Sequence, residues 1–189
     1  VIVPIYKSEE DLNCIKNYIS PIVEYLSKKN NSLFFDNRKN LSPGFKFNEW
    51  EMKGVPIRIE VGPRDMENKS IVIARRDTGE KQTIKLEIAC SNMLTKLLND
   101  IQLNMYNQAL QFRKDNTYVA ESYDDFKALI NNGGFIQCGW DGSVKTEDKI
   151  KSETKATIRC ILSDSPAKGI NCVYSNKPAK YEVVYAKAY

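Results

Sequence analysis

Residues 42–65 read SPGFKFNEWEMKGVPIRIEVGPRD, and the punctuation of that stretch decides the fold class. Ser42-Pro43 is a helix start: a hydroxyl at the N-cap, then a proline whose fixed φ and missing N–H suit the first turn. The helix carries through Trp50 to Lys53, and Gly54 ends it. From 56 to 61 the period changes to two. Ile57, Ile59 and Val61 alternate with Arg58 and Glu60, the pattern of a half-exposed strand. Gly54-Val55-Pro56 and Gly62-Pro63 restrict the backbone at both rims, so Arg58 and Glu60 are held in place on the outer face.

Outward from this stretch, helices and strands keep alternating. Val1-Ile2-Val3-Pro4-Ile5 reads as a buried strand. Ser8 followed by Glu9, Glu10 and Asp11 starts a helix, and Leu12, Ile15, Ile19, Ile22, Val23 and Leu26 recur along it, with Pro21 expected to kink or split it. Leu33-Phe34-Phe35 is a strand candidate, 71–74 a buried strand, and Ile84 with Leu86 a short one. Leu94, Leu97, Leu98, Ile101 and Met105 mark a long amphipathic helix. The polar run Arg113-Lys114-Asp115-Asn116 sets a boundary between domains at 1–114 and 115–189. Beyond it, 122–130 and 147–154 read as helices, and 135–140, 157–162, 171–174 and 182–185 as strands. The fold class is therefore α/β: a domain with a mixed β-sheet flanked by helices, then a smaller α/β domain.

Composition narrows the function. The net charge is +4 and the pI about 8.7, compatible with nucleic acid and equally with a solvated lysine surface. There is no histidine, which removes the commonest general base and zinc ligand together and speaks against a free-standing hydrolase. Five cysteines, an odd count with no Cys-x-x-Cys, suit a reducing cytosol rather than a disulfide framework. No membrane-length apolar run occurs. The N-terminus lacks the features of a signal peptide, and a strand starting at once without an initiator Met suggests a chain that begins inside a longer one.

The same stretch packs Lys46, Glu49, Glu51, Lys53, Arg58, Glu60, Arg64 and Asp65 among Phe45, Phe47 and Trp50. A helix with alternating charges is often only a solvated surface. A phosphate binder, however, needs cations alone, whereas a reader of guanine edges uses both signs. A carboxylate accepts from N1–H and N2–H, and a guanidinium donates to O6 and N7. Such edges are exposed in RNA loops, where an aromatic ring can also stack.

The stretch resembles the anticodon-binding domain of prolyl-tRNA synthetases of the eukaryotic and archaeal type, through Ser42-Pro43-Gly44, Lys46-Phe47, Trp50-Glu51, Lys53-Gly54-Val55-Pro56, Arg58, Glu60 and Gly62-Pro63-Arg64-Asp65. Arg75-Arg76-Asp77, residues 147–161 and the ending from Lys177 to Tyr189 extend the likeness over the whole chain. The resemblance implies recognition of the two adjacent guanines of proline anticodons. It places guanine contacts on Glu51, Arg58, Arg64 and Lys81, the last in a loop of variable length. Lys46 and Lys53 are assigned to the RNA backbone. It further implies a cytoplasmic, homodimeric full enzyme that uses ATP and magnesium in a separate catalytic domain, whose motifs nothing here resembles. No catalytic residue or cofactor site is expected in this chain. Many relatives of that family hold zinc with two cysteine pairs. Here those positions fall on Cys138 and Ser143, and on Cys172 and Tyr174 or Ser175, so no metal site is expected. The terminal Tyr189 is expected to lack a pocket of its own. The anticodon module of another class II synthetase, a free-standing RNA-binding domain and a dimerisation unit remain alternatives.

Overall fold

The computed structural model describes residues 1–28, 32–162, 167 and 169–187. It divides into two compact units, Val1–Asn107 and Gln108–Tyr189. The division falls inside the helix Met93–Asp115, seven residues before the boundary at 114/115 expected from the polar run.

The first unit holds strands β1 (Ile2–Pro4), β2 (Ile57–Val61), β3 (Ser70–Arg75) and β4 (Lys81–Lys85), and helices α1 (Glu9–Lys28), α2 (Pro43–Met52), α3 (Pro63–Glu67), α4 (Leu86–Ala89) and α5 (Met93–Asp115). The sheet order is β1-β2-β3-β4. β1 runs parallel to β2, and the other two pairs are antiparallel. One face carries Ile57, Ile59, Val61, Ile71 and Ile73, which bury Ile15, Ile19 and Ile22 of α1 and Leu94 and Ile101 of α5. Each such side chain removed from water contributes about 1.5–3 kcal/mol. This apolar stripe is what the periods of 3.6 and 2 in the sequence encode.

The helix starts form as read. Ser8 Oγ accepts from Asp11 N–H at 3.1 Å, and Asp11 returns the bond to Ser8 N–H at 3.1 Å. Ser42 Oγ caps α2 through Phe45 N–H, and Gly54 follows the helix at φ +79°, a conformation that favours glycine. Pro21 does not split α1, which runs unbroken from Glu9 to Lys28. The missing proline N–H leaves the Asn17 carbonyl without its usual donor, and Ser20 Oγ donates to it instead at 2.9 Å.

Other expectations shift. Residues 33–35 form no strand. Phe35 makes a single parallel bridge to Ile2, with Ile2 N–H donating to Phe34 O and Asp36 N–H to Ile2 O. β4 starts earlier than expected, and Leu86 opens α4 rather than continuing a strand. α3, α4 and a further short strand were not foreseen, being too short to show a period.

The second unit contains β5 (Thr117–Val119), α6 (Tyr123–Asn132), β6 (Phe135–Trp140), α7 (Val144–Thr154), β7 (Ala156–Ile161) and β8 (Tyr181–Lys187), with sheet order β5-β6-β8-β7. Ser122 caps α6 through Asp125 N–H at 3.1 Å. Phe126 and Ile130 of α6 and Ile150 of α7 pack on Ile136, Cys138, Val183 and Tyr185 of the sheet. The expected strand at 171–174 is instead a tight turn. Cys172 N–H donates to Lys177 O at 2.7 Å and Asn176 N–H to Cys172 O at 3.0 Å, leaving two single bridges. This turn lies so close to β6 that a Cβ on Gly139 would collide with the Asn171 carbonyl. β8 includes the expected 182–185 and extends it to Tyr181 and Lys187, whereas Tyr189 lies outside the described residues.

Candidate nucleic-acid interface

The charges of the first unit are organised around Asp36, which is 0 % exposed. Its carboxylate accepts from Arg38 Nε at 2.9 Å and Nη2 at 2.7 Å, and from Trp50 Nε1 at 2.8 Å. The Arg38 guanidinium foremost holds this carboxyl well below the usual range. Lys46 donates its ammonium to the Asp36 carbonyl at 3.1 Å, lies 3.8 Å from the carboxylate, and is 2 % exposed. Burial pulls its pKa down. Lys46 is therefore not on the surface facing a phosphate, as the sequence suggested; its ammonium is turned inward as the partner of a buried carboxylate.

Lys53 behaves differently. At the C-cap of α2 it donates to Glu49 Oε1 at 2.6 Å and lies over the Trp50 ring at 4.6 Å, with its side chain half exposed. Glu49 also accepts from Arg38 at 2.5 Å, and these two cations lower its carboxyl pKa. Trp50 and its neighbour Phe34, with ring centroids 4.9 Å apart, anchor this corner.

On the sheet face opposite the apolar core, register builds a row. Arg58 pairs with Ala74, and Ala74 with Lys81; in the next row Glu60 pairs with Val72, and Val72 with Thr83. The Glu60 carboxylate bridges the two cations: Arg58 Nε donates to it at 3.0 Å and Lys81 Nζ approaches at 2.8 Å. Beneath them lies Phe47, with the Arg58 guanidinium 4.3 Å and the Lys81 ammonium 5.2 Å from its ring centroid. β2 is thus not half-exposed. Its outer side chains are covered, Glu60 being 7 % and Arg58 13 % exposed, because α2 lays Phe47 across them. Arg58 Nη1 reaches the Phe47 carbonyl at 3.4 Å and lies 4.0 Å from the carboxylate of Glu51, which is exposed. Arg76 donates Nε to the Glu51 carbonyl at 2.9 Å. Trp50, Glu51, Arg58, Ala74, Arg75 and Arg76 contribute to the lining of a cleft of about 50 Å³, room for a few waters, so that a flat base would rest on its rim.

The fold therefore gathers Glu51, Arg58 and Lys81 and keeps Lys53 near them on α2. Arg64 stands apart. It is exposed on α3, beyond the far end of β2, and its guanidinium has no hydrogen bond among the described residues. Sequence reasoning missed Glu60 and Arg76 as site members. The alternation on β2 put Glu60 beside Arg58, but the strand register that brings Lys81 across was not legible.

In the second unit two of the positions that bear on metal binding, Ser143 and Ser175, meet at a carboxylate. Asp141 accepts from Ser143 N–H at 3.0 Å, Thr146 Oγ1 at 2.9 Å and Ser175 Oγ at 2.7 Å. Burial alone would raise this carboxyl, but the hydrogen bonds from Ser175, Ser143 and Thr146 outweigh it and lower its pKa. Burial pushes the Cys138 thiol up to about 12. Two thiols and two hydroxyl-bearing residues at the four positions do not fit a structural zinc ion, and no metal-holding group of three His, Cys, Asp or Glu occurs among the described residues.

Comparison with known proteins accounts for both units. Residues 1–96 match the anticodon binding domain family, and residues 123–189 match the C-terminal domain of prolyl-tRNA synthetase. Over its whole length the chain is 46 % identical to a proline–tRNA ligase of Porphyromonas gingivalis and to one of Cytophaga hutchinsonii, and 44 % identical to one of Bacteroides fragilis. It spans 38–39 % of the length of these relatives. A module match over half the chain, set on the fold and charge cluster described above, shows that the chain belongs to the anticodon binding domain family, with a prolyl-tRNA synthetase C-terminal domain following in the same chain.

Proposed function

We propose that this chain is the tRNA-reading C-terminal part of a proline–tRNA ligase of the eukaryotic and archaeal sequence type, and that it recognises the adjacent guanines of the proline anticodon. The observation that carries the reading is the Arg58 guanidinium, fixed on Phe47 and set 4.0 Å from the Glu51 carboxylate at a cleft rim. Donor and acceptor side by side match a guanine, which presents O6 and N7 to a donor and N1–H and N2–H to an acceptor. Glu51 and Arg58 take base edges, Lys81 reinforces them, and Lys53 meets the RNA backbone. Arg64, free on α3, takes a flanking nucleotide away from the cleft. Lys46 serves the interior. ATP, magnesium and proline are handled by a catalytic domain in the part of the relatives that the chain does not span, in a cytoplasmic, homodimeric enzyme.

The test is binding of the chain to an anticodon stem-loop carrying the two guanines and to the same RNA with both replaced by adenine. The guanine RNA should bind more tightly, and affinity for both should fall with salt as phosphate contacts release counterions. Arg58→Ala should remove about 1–3 kcal/mol of discrimination, whereas Lys53→Ala should weaken both RNAs alike. Equal affinity of the unaltered chain for the two RNAs would sink the assignment.

A further inference from the structure

Glu60 is not among the residues that line the cleft, yet Arg58, which is, and Lys81 converge on it. Its carboxylate is 7 % exposed and lies 3.0 Å from Arg58 Nε and 2.8 Å from Lys81 Nζ. The two cations come from different strands, separated by β3, in the register Arg58–Ala74–Lys81. Both also sit over the Phe47 ring. With Nε bound to Glu60 and the Phe47 ring centroid 4.3 Å from the guanidinium carbon, the Nη1 and Nη2 end of Arg58 is the end left to meet a planar ligand. The Phe47 carbonyl takes up only one Nη1 direction, at 3.4 Å.

We infer that Glu60 is a positioning residue for guanine recognition: it selects the end-on orientation of the Arg58 guanidinium and tethers Lys81 beside it without contacting the RNA. This rests on the anticodon-reading assignment above. Without the carboxylate, two cations are left facing each other across β3. Their repulsion, and the loss of the negative charge that held both of them, release the guanidinium from its fixed plane, so the bidentate match to O6 and N7 is lost while positive charge increases.

That combination separates positioning from support of the fold. In Glu60→Gln the chain gains one unit of positive charge, so affinity for the adenine-substituted stem-loop should rise at low salt. Preference for the guanine stem-loop should fall about tenfold, the scale of one bidentate base contact. In an Arg58→Ala background the same change should lower discrimination no further, because its effect runs through Arg58. Glu60→Asp keeps the charge but is one methylene too short to hold both cations. It should leave affinity for the adenine RNA unchanged and still lower the preference, and it serves if Glu60→Gln does not fold. A folded Glu60→Gln or Glu60→Asp chain with unaltered preference for guanine overturns the inference, as does full additivity with Arg58→Ala. An unaltered chain that fails to distinguish the two RNAs overturns the functional assignment first, and this inference with it.

Discussion

The two units are built on the same sheet grammar, one parallel pair followed by two antiparallel ones, yet Asp36 and Glu60 in the first and Asp141 in the second are satisfied in different ways. In the first unit Asp36 is met by Arg38 and Lys46, with Trp50, and Glu60 by Arg58 and Lys81. In the second, Asp141 is met by a main-chain N–H and two hydroxyls, with no cation among its hydrogen-bond partners in the described residues. Charged partners fix cations at defined points of a surface, which a nucleic-acid reader needs. Neutral partners tie chain segments together without adding charge, which a structural hub needs. The same residue type thus does different work according to what the neighbouring loops supply.

The contrast should be largest in stability. Asp36→Ala leaves Lys46 buried without its carboxylate and Arg38 without its fork partner. Breaking such a buried pair costs about 3–5 kcal/mol. Asp141→Ala strands only neutral donors, which costs about 1–3 kcal/mol. The chain carries two tryptophans, and they fall one to each unit, Trp50 and Trp140. Fluorine NMR of fluorotryptophan-labelled protein during urea unfolding reads the two units separately. Asp36→Ala should shift the Trp50 transition more than Asp141→Ala shifts that of Trp140. Equal shifts would show that the charge of the donors does not matter here.

A smaller difference should appear with pH. In the first unit, hydrogen bonds from Arg75 and then Asn104 lower Asp77 from 3.8 to about 2, and Asp36 is depressed as well. A carboxylate whose folded pKa is depressed contributes stability above its unfolded value and loses it as pH falls towards the folded one. The first unit should therefore weaken between about pH 4 and pH 2. In the second unit Cys138 is raised from 9.0 to about 12, and burial also raises Tyr185. Groups held neutral in this way stabilise below the unfolded pKa, and that contribution is lost as pH rises through the folded one. The second unit should thus be the first to weaken above about pH 9. The order in which the Trp50 and Trp140 signals melt at acid and alkaline pH checks both halves; the same unit failing first at both extremes would contradict them.

These differences mark the limit of what the sequence discloses. Local signals read well. Ser8, Ser42 and Ser122 cap helices as hydroxyls before acidic or apolar turns should, and the alternation at 57–61 names the apolar face of β2. Long-range facts were hidden. Nothing local in Lys46 distinguishes it from Lys53, four residues from Glu49 on the same helix; burial of one and exposure of the other depend on Asp36, which arrives from a separate segment. Lys81 joins Arg58 only through the register of two strand pairings. Ser20 rescuing the carbonyl opposite Pro21 depends on a side-chain rotamer, which periodicity does not encode.

The smallest effect predicted is none at all, on removal of divalent metal. The positions where a zinc clip would close are occupied by Cys138, Ser143, Cys172 and Tyr174 or Ser175. Zinc in a structural site requires about four thiolate or imidazole ligands, and the chain has no histidine to replace the missing two. The work of such a clip, joining the loop after β6 to the turn after Ile170, is done by Asp141. Ser143 and Thr146 hold it from one side and Ser175 from the other. Because these bonds need no ion, the chain should contain no stoichiometric zinc when purified without chelator, and adding a strong chelator should leave the Trp140 transition unmoved. Asp141→Asn should lower that transition by a similar amount with or without chelator. One equivalent of zinc by elemental analysis, or a chelator-dependent shift in the Trp140 transition, would mean that the carboxylate supplements a metal rather than replacing it, and the contrast between the two units would then lie in ligand chemistry instead of in the charge of hydrogen-bond donors.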